Sequence, residues 1–208
     1  MKQAIIFDFD GTIADTFGLA VDIFYHVTKR REPIPKAEIS RLRELSLPEV
    51  ALAVGVPIWQ IPYLAWRGRR LFAKRLHQAK SVPGMAETLQ ALSKERDVYV
   101  VSSNSRSNVM TFLTEHGLTD YFTQVEGNAR LHGKARLLRK ICRQGGYEPE
   151  ETCYVGDETR DIEAARHAGL KSVAVAWGYN NINALHDHHP DKIVFDPSEI
   201  INYLATIK

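Results

Sequence analysis

The chain has 208 residues, of which 44% are hydrophobic and 25% are charged, and its formal net charge is +2 at pH 7. This length can bury a sizeable core as one domain or as one domain with an insertion, and the small net charge gives no broad electrostatic case for a nucleic-acid partner. No apolar run reaches the length of a membrane span, and the N-terminus lacks the pattern of a secretory signal, so no membrane partner is expected.

The chain contains two cysteines, Cys142 and Cys153. Cys153 lies within a predicted buried strand, where a thiol is inert. Two unreactive thiols are therefore expected rather than a disulfide, and a reducing cytoplasm is the expected location.

The first predicted element is a strand at residues 4–7, a run of four apolar residues typical of a strand buried on both faces. Asp8 and Asp10 follow it, and side chains two residues apart in a strand point the same way, so their carboxylates aim in one direction. Two close carboxylates raise each other's pKa unless a cation such as Mg²⁺ neutralises them. The alternative is a solvated Asp-Gly turn.

Residues 16–80 interrupt the alternation of strands and helices and predict a mostly helical insertion. An apolar stripe at helical spacing marks its first helix: Phe17, Ala20, Val21, Phe24 and Val27. Residues 63–77 predict a further helix, and Arg67, Arg70 and Lys74 share one of its faces. That face is either solvated or a cationic strip that meets the substrate. The helices form a separate cap or simply cover the sheet.

After residue 80, predicted strands and helices alternate. The predicted strands are residues 98–101, 122–125, 153–155, 172–176 and, at the edge, 193–195. The predicted helices are residues 83–92, 108–115, 134–142, 162–168 and 198–207. This alternation predicts an α/β fold, a doubly wound parallel sheet with helices on both faces.

Two of the later strands also end in polar residues. Ser102 follows the strand at residues 98–101, and Asp157 and Asp161 follow the strand at residues 153–155. In open parallel sheets, ligands bind outside the carboxyl ends of the strands. One crevice is therefore expected to contain the following groups: Asp8, Asp10, Ser102, Asp157 and Asp161.

The order and spacing of these motifs resemble the haloacid dehalogenase superfamily of phosphohydrolases, and within it the phosphoglycolate-phosphatase-like group. Residues 8–12 resemble the first motif of the superfamily, Ser102 the second, Lys134 the third and residues 156–161 the fourth. The resemblance covers nearly the whole chain. The first and fourth motifs are specific as a pair. The serine and the lysine are weak indicators alone, and they support the resemblance only because they lie between those two motifs.

The resemblance implies two domains. Residues 1–15 and 81–208 would form a Rossmann-like core, and residues 16–80 would form a helical cap inserted after the first strand. The implied hinges lie where the chain enters and leaves the cap. The implied partner is a small phosphorylated metabolite, and the implied assembly is a monomer or a homodimer.

The resemblance also implies a Mg²⁺-dependent mechanism. Asp8 would be the nucleophile that becomes an aspartyl-phosphate, and Asp10 would be first the general acid and then the general base. The implied metal ligands are Asp8, Asp157 and the backbone carbonyl of Asp10. Asp161 would hold a metal-bound water or its partner. The alternative for Asp161 is an acidic residue that favours a helix dipole.

Two further implied roles concern the phosphoryl group. Ser102 would donate a hydrogen bond to it, with Ser103 and Ser105 as competitors, unless all three serines cap the next helix. Lys134 opens a predicted helix, where a cation opposes the helix dipole. This placement makes sense if its ammonium reaches Asp8 and the phosphate. A solvated surface lysine is the alternative.

Dehalogenation, a mutase activity and a binding role are the alternatives to hydrolysis of a phosphate ester. Asp10 argues against dehalogenation, because dehalogenases of the superfamily lack a carboxylate there. A phosphosugar mutase, or a poorly active binding or regulatory protein with the same motifs, stays open. His186, His188 and His189 stand in a predicted polar loop, and their spacing fits no tight metal-ligand pattern.

Overall fold

The computed structural model describes residues 3–30, 32, 34–45, 47–129 and 133–207. Its strands are β1 Gln3–Phe7, β2 Ala14–Asp15, β3 Lys80–Ser81, β4 Arg96–Val101, β5 Gln124–Glu126, β6 Cys153–Gly156, β7 Lys171–Val175 and β8 Lys192–Val194. Six of them form one sheet in the order β5-β4-β1-β6-β7-β8, and every pair in it is parallel. The predicted α/β fold class is confirmed.

The helices are α1 Phe17–Thr28, α2 Lys36–Leu42, α3 Leu47–Ala53, α4 Ile61–Arg75, α5 Met85–Ser93, α6 Arg106–Glu115, α7 Lys134–Gly145, α8 Thr159–Ala168, α9 Ile182–Asp187 and α10 Ser198–Leu204. All the helices predicted after residue 80 are present, with ends shifted by a few residues. The loop predicted around His186 is wrong in part, because His186 lies on α9. Asn181 caps that helix, and its side-chain oxygen accepts a hydrogen bond from the Ala184 N–H at 3.0 Å.

Strand β1 is the centre of the sheet, and its side chains are buried on both faces. Ile5 and Phe7 belong to the apolar cluster on one face, and Ala4 and Ile6 belong to the cluster on the other. The period of two in a strand produces this division. A strand that is buried on both faces has little freedom to shift, so it fixes the position of the residues that follow it.

The strand order reverses beside β1, so a ligand crevice is expected at the carboxyl edge of the sheet. The neighbours of β1 are β4 on one side and β6 on the other, and Phe7 stands beside Val100 and Val155 in the register. The chain runs from β1 to β4 and β5 on one side and then returns to β6, β7 and β8 on the other. Open α/β sheets bind their ligands where the strand order reverses in this way. The residues directly after β1, β4 and β6 meet at this edge.

The helical insertion is joined to the sheet by a short two-stranded ribbon. Strands β2 and β3 pair antiparallel, with Ala14 opposite Ser81, so the entry and exit of the insertion lie side by side. Within the insertion α1 packs against α4, and their contact is a small apolar cluster. The members of that cluster are Leu19, Ile23, Val27, Leu64, Leu71 and Phe72.

The two cysteines are free and buried, as predicted. Burial raises the pKa of the Cys153 thiol to about 12, so it stays protonated and unreactive at neutral pH. No helix in the described part of the chain is long and apolar enough to cross a membrane.

Candidate active site

Asp8 is the first residue after β1, and its carboxylate is buried. The Asp8 N–H donates to the carbonyl of Val155 at 2.8 Å, which extends the pairing with β6 by one residue. Its Oδ1 accepts a hydrogen bond from the Phe9 N–H at 2.7 Å, and its Oδ2 accepts one from Lys134 Nζ at 2.6 Å. Both carboxylate oxygens are thus oriented by donors before any substrate arrives.

Asp157 follows β6 and is fully buried. Its Oδ1 accepts a hydrogen bond from the Thr12 hydroxyl at 2.9 Å, and its Oδ2 accepts one from the Tyr179 N–H at 2.7 Å. Burial raises the pKa of Asp157 well above its ordinary value, and the nearby carboxylates, with Glu158 first, raise it further. The charged form of Asp157 therefore needs a cation close by.

The carboxylates of Asp8, Asp157 and Asp161 form a compact buried cluster. One oxygen from each lies within 4.8 Å of the other two. Among the described residues, the Lys134 ammonium contacts Asp8 and Asp161, and it leaves the three carboxylates with a formal charge of two minus if all are ionised. Hard carboxylate oxygens and an excess of two negative charges suit a divalent cation such as Mg²⁺. The residues present therefore fit the predicted metal.

Lys134 begins α7 and is buried, contrary to the alternative of a solvated surface lysine. Its ammonium donates to Asp8 at 2.6 Å and to Asp161 at 2.7 Å, and it lies 5.6 Å from the centre of the Tyr154 ring. Burial by itself would lower the pKa of Lys134, but Asp161 and Asp8 raise it well above its ordinary value. Lys134 is therefore a permanent cation, and its catalytic role stays a prediction.

Asp161 lies in the first turn of α8, and donors surround its carboxylate. Its Oδ1 accepts from Lys134 and from the Tyr154 hydroxyl at 3.3 Å, and its Oδ2 accepts from the Glu158 N–H at 3.1 Å. The last contact is half of a capping box at the start of α8. The helix-terminus alternative is confirmed by this capping contact, and the role of Asp161 beside a metal-bound water stays a prediction.

Asp10 is partly buried beside the cluster. Its Oδ2 accepts a hydrogen bond from Asn104 Nδ2 at 3.2 Å, while its buried Oδ1 has no hydrogen-bond partner among the described residues. Burial, followed by the charge of Asp8, raises the pKa of Asp10 to about 7. A carboxyl group of this kind can both give and take a proton near neutral pH. Asn104 was not singled out from the sequence.

The three serines after β4 have separate positions. Ser102 is buried at the strand end, and its Oγ accepts a hydrogen bond from the Asn104 N–H at 3.0 Å. Ser103 is exposed. Ser105 caps α6, where its Oγ accepts from the Asn108 N–H at 3.1 Å. The capping alternative is therefore correct for Ser105 and wrong for Ser102.

Comparison with known proteins agrees with this geometry. The profile of the haloacid dehalogenase-like hydrolases matches residues 5–175. A phosphoglycolate phosphatase from Synechococcus elongatus is 36% identical over 99% of this chain and 98% of its own length. The chain belongs to the haloacid dehalogenase-like hydrolases. The family predicted from the motifs is confirmed.

Two more distant members support the same assignment. A pyrophosphatase from Oceanobacillus iheyensis, PpaX, is 26% identical over 98% of this chain and 97% of its own length. A solved haloacid dehalogenase-like hydrolase from Streptococcus pneumoniae superposes with a TM-score of 0.81 at 24% identity, covering 97% of this chain and 98% of that one. The structural match shows that the whole chain has the fold of this hydrolase family.

The basic residues of α4 contact other parts of the insertion. Arg70 lies over the Trp66 ring at 5.0 Å, and Lys74 is exposed. Arg67 lines an open cavity inside the insertion together with Phe24. In the described ranges no hydrogen bond or ion pair links these cations to the cluster. The substrate-facing strip stays a prediction without a contact to support it.

Removing the Lys134 ammonium is expected to destabilise the protein in metal-free buffer. Lys134→Met leaves two buried carboxylates without their cation, and breaking a buried pair in this way costs about 3–5 kcal/mol. Denaturant unfolding of the wild type and the variant, both in EDTA, measures the loss. Lys140→Met is the control, because Lys140 is half-exposed on the same helix and lies 3.9 Å from Glu126. Equal losses in the two variants would contradict the account of Lys134.

Proposed function

We propose that this chain is a Mg²⁺-dependent phosphatase of a small phosphorylated metabolite. The observation that carries the proposal is the placement of Asp8 between a buried ammonium and two further carboxylates at the carboxyl end of the central strand. The full-length similarity to a phosphoglycolate phosphatase supports hydrolysis of a phosphoric monoester.

In the proposed first step, an oxygen of Asp8 attacks phosphorus and forms an aspartyl-phosphate. The bond from phosphorus to the leaving oxygen breaks, and Asp10 gives that oxygen its proton. In the second step Asp10 takes a proton from water, which attacks phosphorus and releases inorganic phosphate and free Asp8. The pKa of about 7 for Asp10 suits a group that must be an acid in one step and a base in the next.

Ser102 and Lys134 are the proposed ligands of the phosphoryl group, with Ser103 as a weaker candidate. Ser102 stands at the end of β4 beside the buried cluster, and the Lys134 ammonium already contacts Asp8 at 2.6 Å. A cation held by Asp161 can offset the charge on the transferring group without rearranging. Asp161 is the proposed positioning partner of Lys134.

The proposed Mg²⁺ ligands are the carboxylates of Asp8 and Asp157 and the backbone carbonyl of Asp10. When bound, Mg²⁺ would screen the negative charge of the phosphate from that of the nucleophile. The Thr12 hydroxyl and the Tyr179 N–H hold Asp157 in place at the site. Such supporting donors tune both the affinity and the geometry of a metal site.

We further propose that residues 16–80 act as a cap over residues 1–15 and 81–208. The β2–β3 ribbon is the proposed hinge, because both connections of the insertion run through it. A moving cap would exclude water during the attack by Asp8 and admit it for the second step. A cytoplasmic location and a monomeric or homodimeric state complete the proposal.

Three alternatives compete with the proposed activity. A phosphosugar mutase would use the same carboxylates and return the phosphate to its substrate. The similarity to a pyrophosphatase makes inorganic pyrophosphate a second candidate substrate. A binding or regulatory protein would keep the site and turn over poorly.

Asp8→Asn is expected to reduce phosphate release by at least about a thousandfold, because an amide is a poor nucleophile. The measurement is phosphate release from a panel containing phosphoglycolate, pyrophosphate, hexose phosphates and an aryl phosphate, with Mg²⁺ present. Asp187→Asn is the control, because the Asp187 side chain is 79% exposed. It should keep wild-type rates.

The same panel separates the alternatives. Transfer of phosphate within a hexose phosphate without release would identify a mutase. Negligible release from every substrate by the wild type would favour a binding protein. Activity of Asp8→Asn within tenfold of the wild type would show that Asp8 is not the nucleophile.

Removal of the metal is expected to stop turnover. EDTA should abolish phosphate release and added Mg²⁺ should restore it, whereas Ca²⁺, with more ligands in looser geometry, should restore little. Asp157→Ala should raise the Mg²⁺ concentration for half-maximal rate by about tenfold or more, because it removes a ligand. Full activity in EDTA would overturn the metal proposal.

A further inference from the structure

A segment between β7 and α9 is in direct contact with Asp157. This strap, residues 177–181, donates the Tyr179 N–H to Asp157 Oδ2 at 2.7 Å and the Asn180 N–H to the Asp157 carbonyl at 3.3 Å. At Gly178 the backbone is so close that an added Cβ would lie 2.1 Å from the Cβ of Asp157. The position of Asp157 therefore depends on the position of the strap.

The other side of the strap is held by Arg43, which follows α2 in the helical insertion. Arg43 Nε donates to the Tyr179 carbonyl at 3.0 Å, and a terminal nitrogen of the same guanidinium donates to the Gly178 carbonyl. In return, the Arg43 carbonyl accepts from Asn180 Nδ2 at 2.6 Å and from the Asn181 N–H at 3.1 Å. Four hydrogen bonds thus join one residue of the insertion to the strap.

The guanidinium is well suited to this contact. Its planar fork presents several N–H groups in a fixed geometry, so it can bind two consecutive carbonyls at once. The face of the Arg43 guanidinium also lies over the Phe17 ring, 4.9 Å from its centre. Phe17 in turn makes an edge contact with the Tyr179 ring. The Arg43 guanidinium is therefore held by its ring contact while it donates hydrogen bonds to the strap.

We propose that Arg43 is a positioning residue that couples docking of the helical insertion to the geometry of Asp157. With α2 docked, Arg43 holds the Gly178 and Tyr179 carbonyls, and the Tyr179 N–H points at Asp157 Oδ2. With α2 away, the strap loses these four hydrogen bonds and two more, which Asn181 Nδ2 donates to the Ser40 carbonyl and to Glu44 Oε1 at 2.9 Å. The Tyr179 N–H is then held less firmly against Asp157. The inference rests on the proposed role of Asp157 as a Mg²⁺ ligand.

A different role for the same residue makes different predictions. If Arg43 bound the substrate itself, its loss would raise KM and leave Mg²⁺ binding intact. If it positions Asp157, its loss weakens Mg²⁺ binding in the absence of any substrate. Metal binding to the free enzyme therefore separates the two roles.

The experiment measures Mg²⁺ binding to the full chain by calorimetry, together with KM and kcat at saturating Mg²⁺. Arg43→Gln is expected to weaken Mg²⁺ binding by about tenfold, with KM within about twofold of the wild type. Arg43→Lys should show most of this loss, because a point charge cannot bind both carbonyls as a fork. Arg41→Gln is the matched control, since Arg41 is exposed on α2 two residues before Arg43, and it should bind Mg²⁺ as the wild type does.

Wild-type Mg²⁺ affinity in Arg43→Gln or in Arg43→Lys would overturn the inference, as would a tenfold rise of KM with unchanged Mg²⁺ affinity. Arg43→Lys keeps the charge and most of the stem, so it serves if Arg43→Gln fails to fold.

Asp157→Asn is measured in parallel. If Asp157→Asn binds Mg²⁺ normally, the proposed metal site itself is wrong. If only Asp157→Asn is impaired, the metal site stands and the role of Arg43 is wrong.

Discussion

The structure depends on one electrostatic constraint, which is the excess of negative charge buried at the carboxyl end of β1. Asp8, Asp157 and Asp161 lie together, and the Lys134 ammonium pairs with Asp8 and Asp161 but not with Asp157 among the described contacts. Burying carboxylates costs several kcal/mol each unless cations and donors compensate. Folding therefore buries more negative charge here than Lys134 offsets, at a site whose carboxylate oxygens are already oriented by donors. The same excess of charge that costs stability is the feature on which the proposed Mg²⁺ site rests.

The sheet supplies the rigidity that such a site requires. β1 has apolar neighbours on both faces and hydrogen-bonded strands on both sides, so Asp8 extends from the most constrained part of the fold. Asp157 comes from the next strand and is held by donors from a loop and from the strap. The helical insertion adds a contact through Arg43, which in our proposal is made and broken as the insertion docks. Rigid carboxylates and a detachable support are compatible with a reaction in which water is excluded in one step and used in the next.

Much of this could be predicted from the sequence, because the relevant patterns are local. The apolar run before Asp8, the strand before Asp157 and the start of α7 at Lys134 follow from short-range periodicity. The supports of Asp157 could not be predicted, because Thr12 is 145 residues away and the Tyr179 contact is made by a backbone N–H. Asn104 and Arg43 were missed for a similar reason, since their partners, Asp10 and the strap, lie 94 and 135–136 residues away in sequence. The short α9 was missed although Asn181 is a recognisable cap.

The measurement that tests the central claim most directly is the intact mass of Asp10→Asn, quenched in acid after mixing with an aryl phosphate and Mg²⁺. An aryl leaving group needs no acid, whereas hydrolysis of the intermediate needs a base, so the variant should accumulate a phosphorylated protein. The added mass should be absent from Asp10→Asn combined with Asp8→Asn. Hydrolysis of the aryl phosphate at the wild-type rate by Asp10→Asn, with no added mass at any time, would contradict the proposed roles of Asp8 and Asp10.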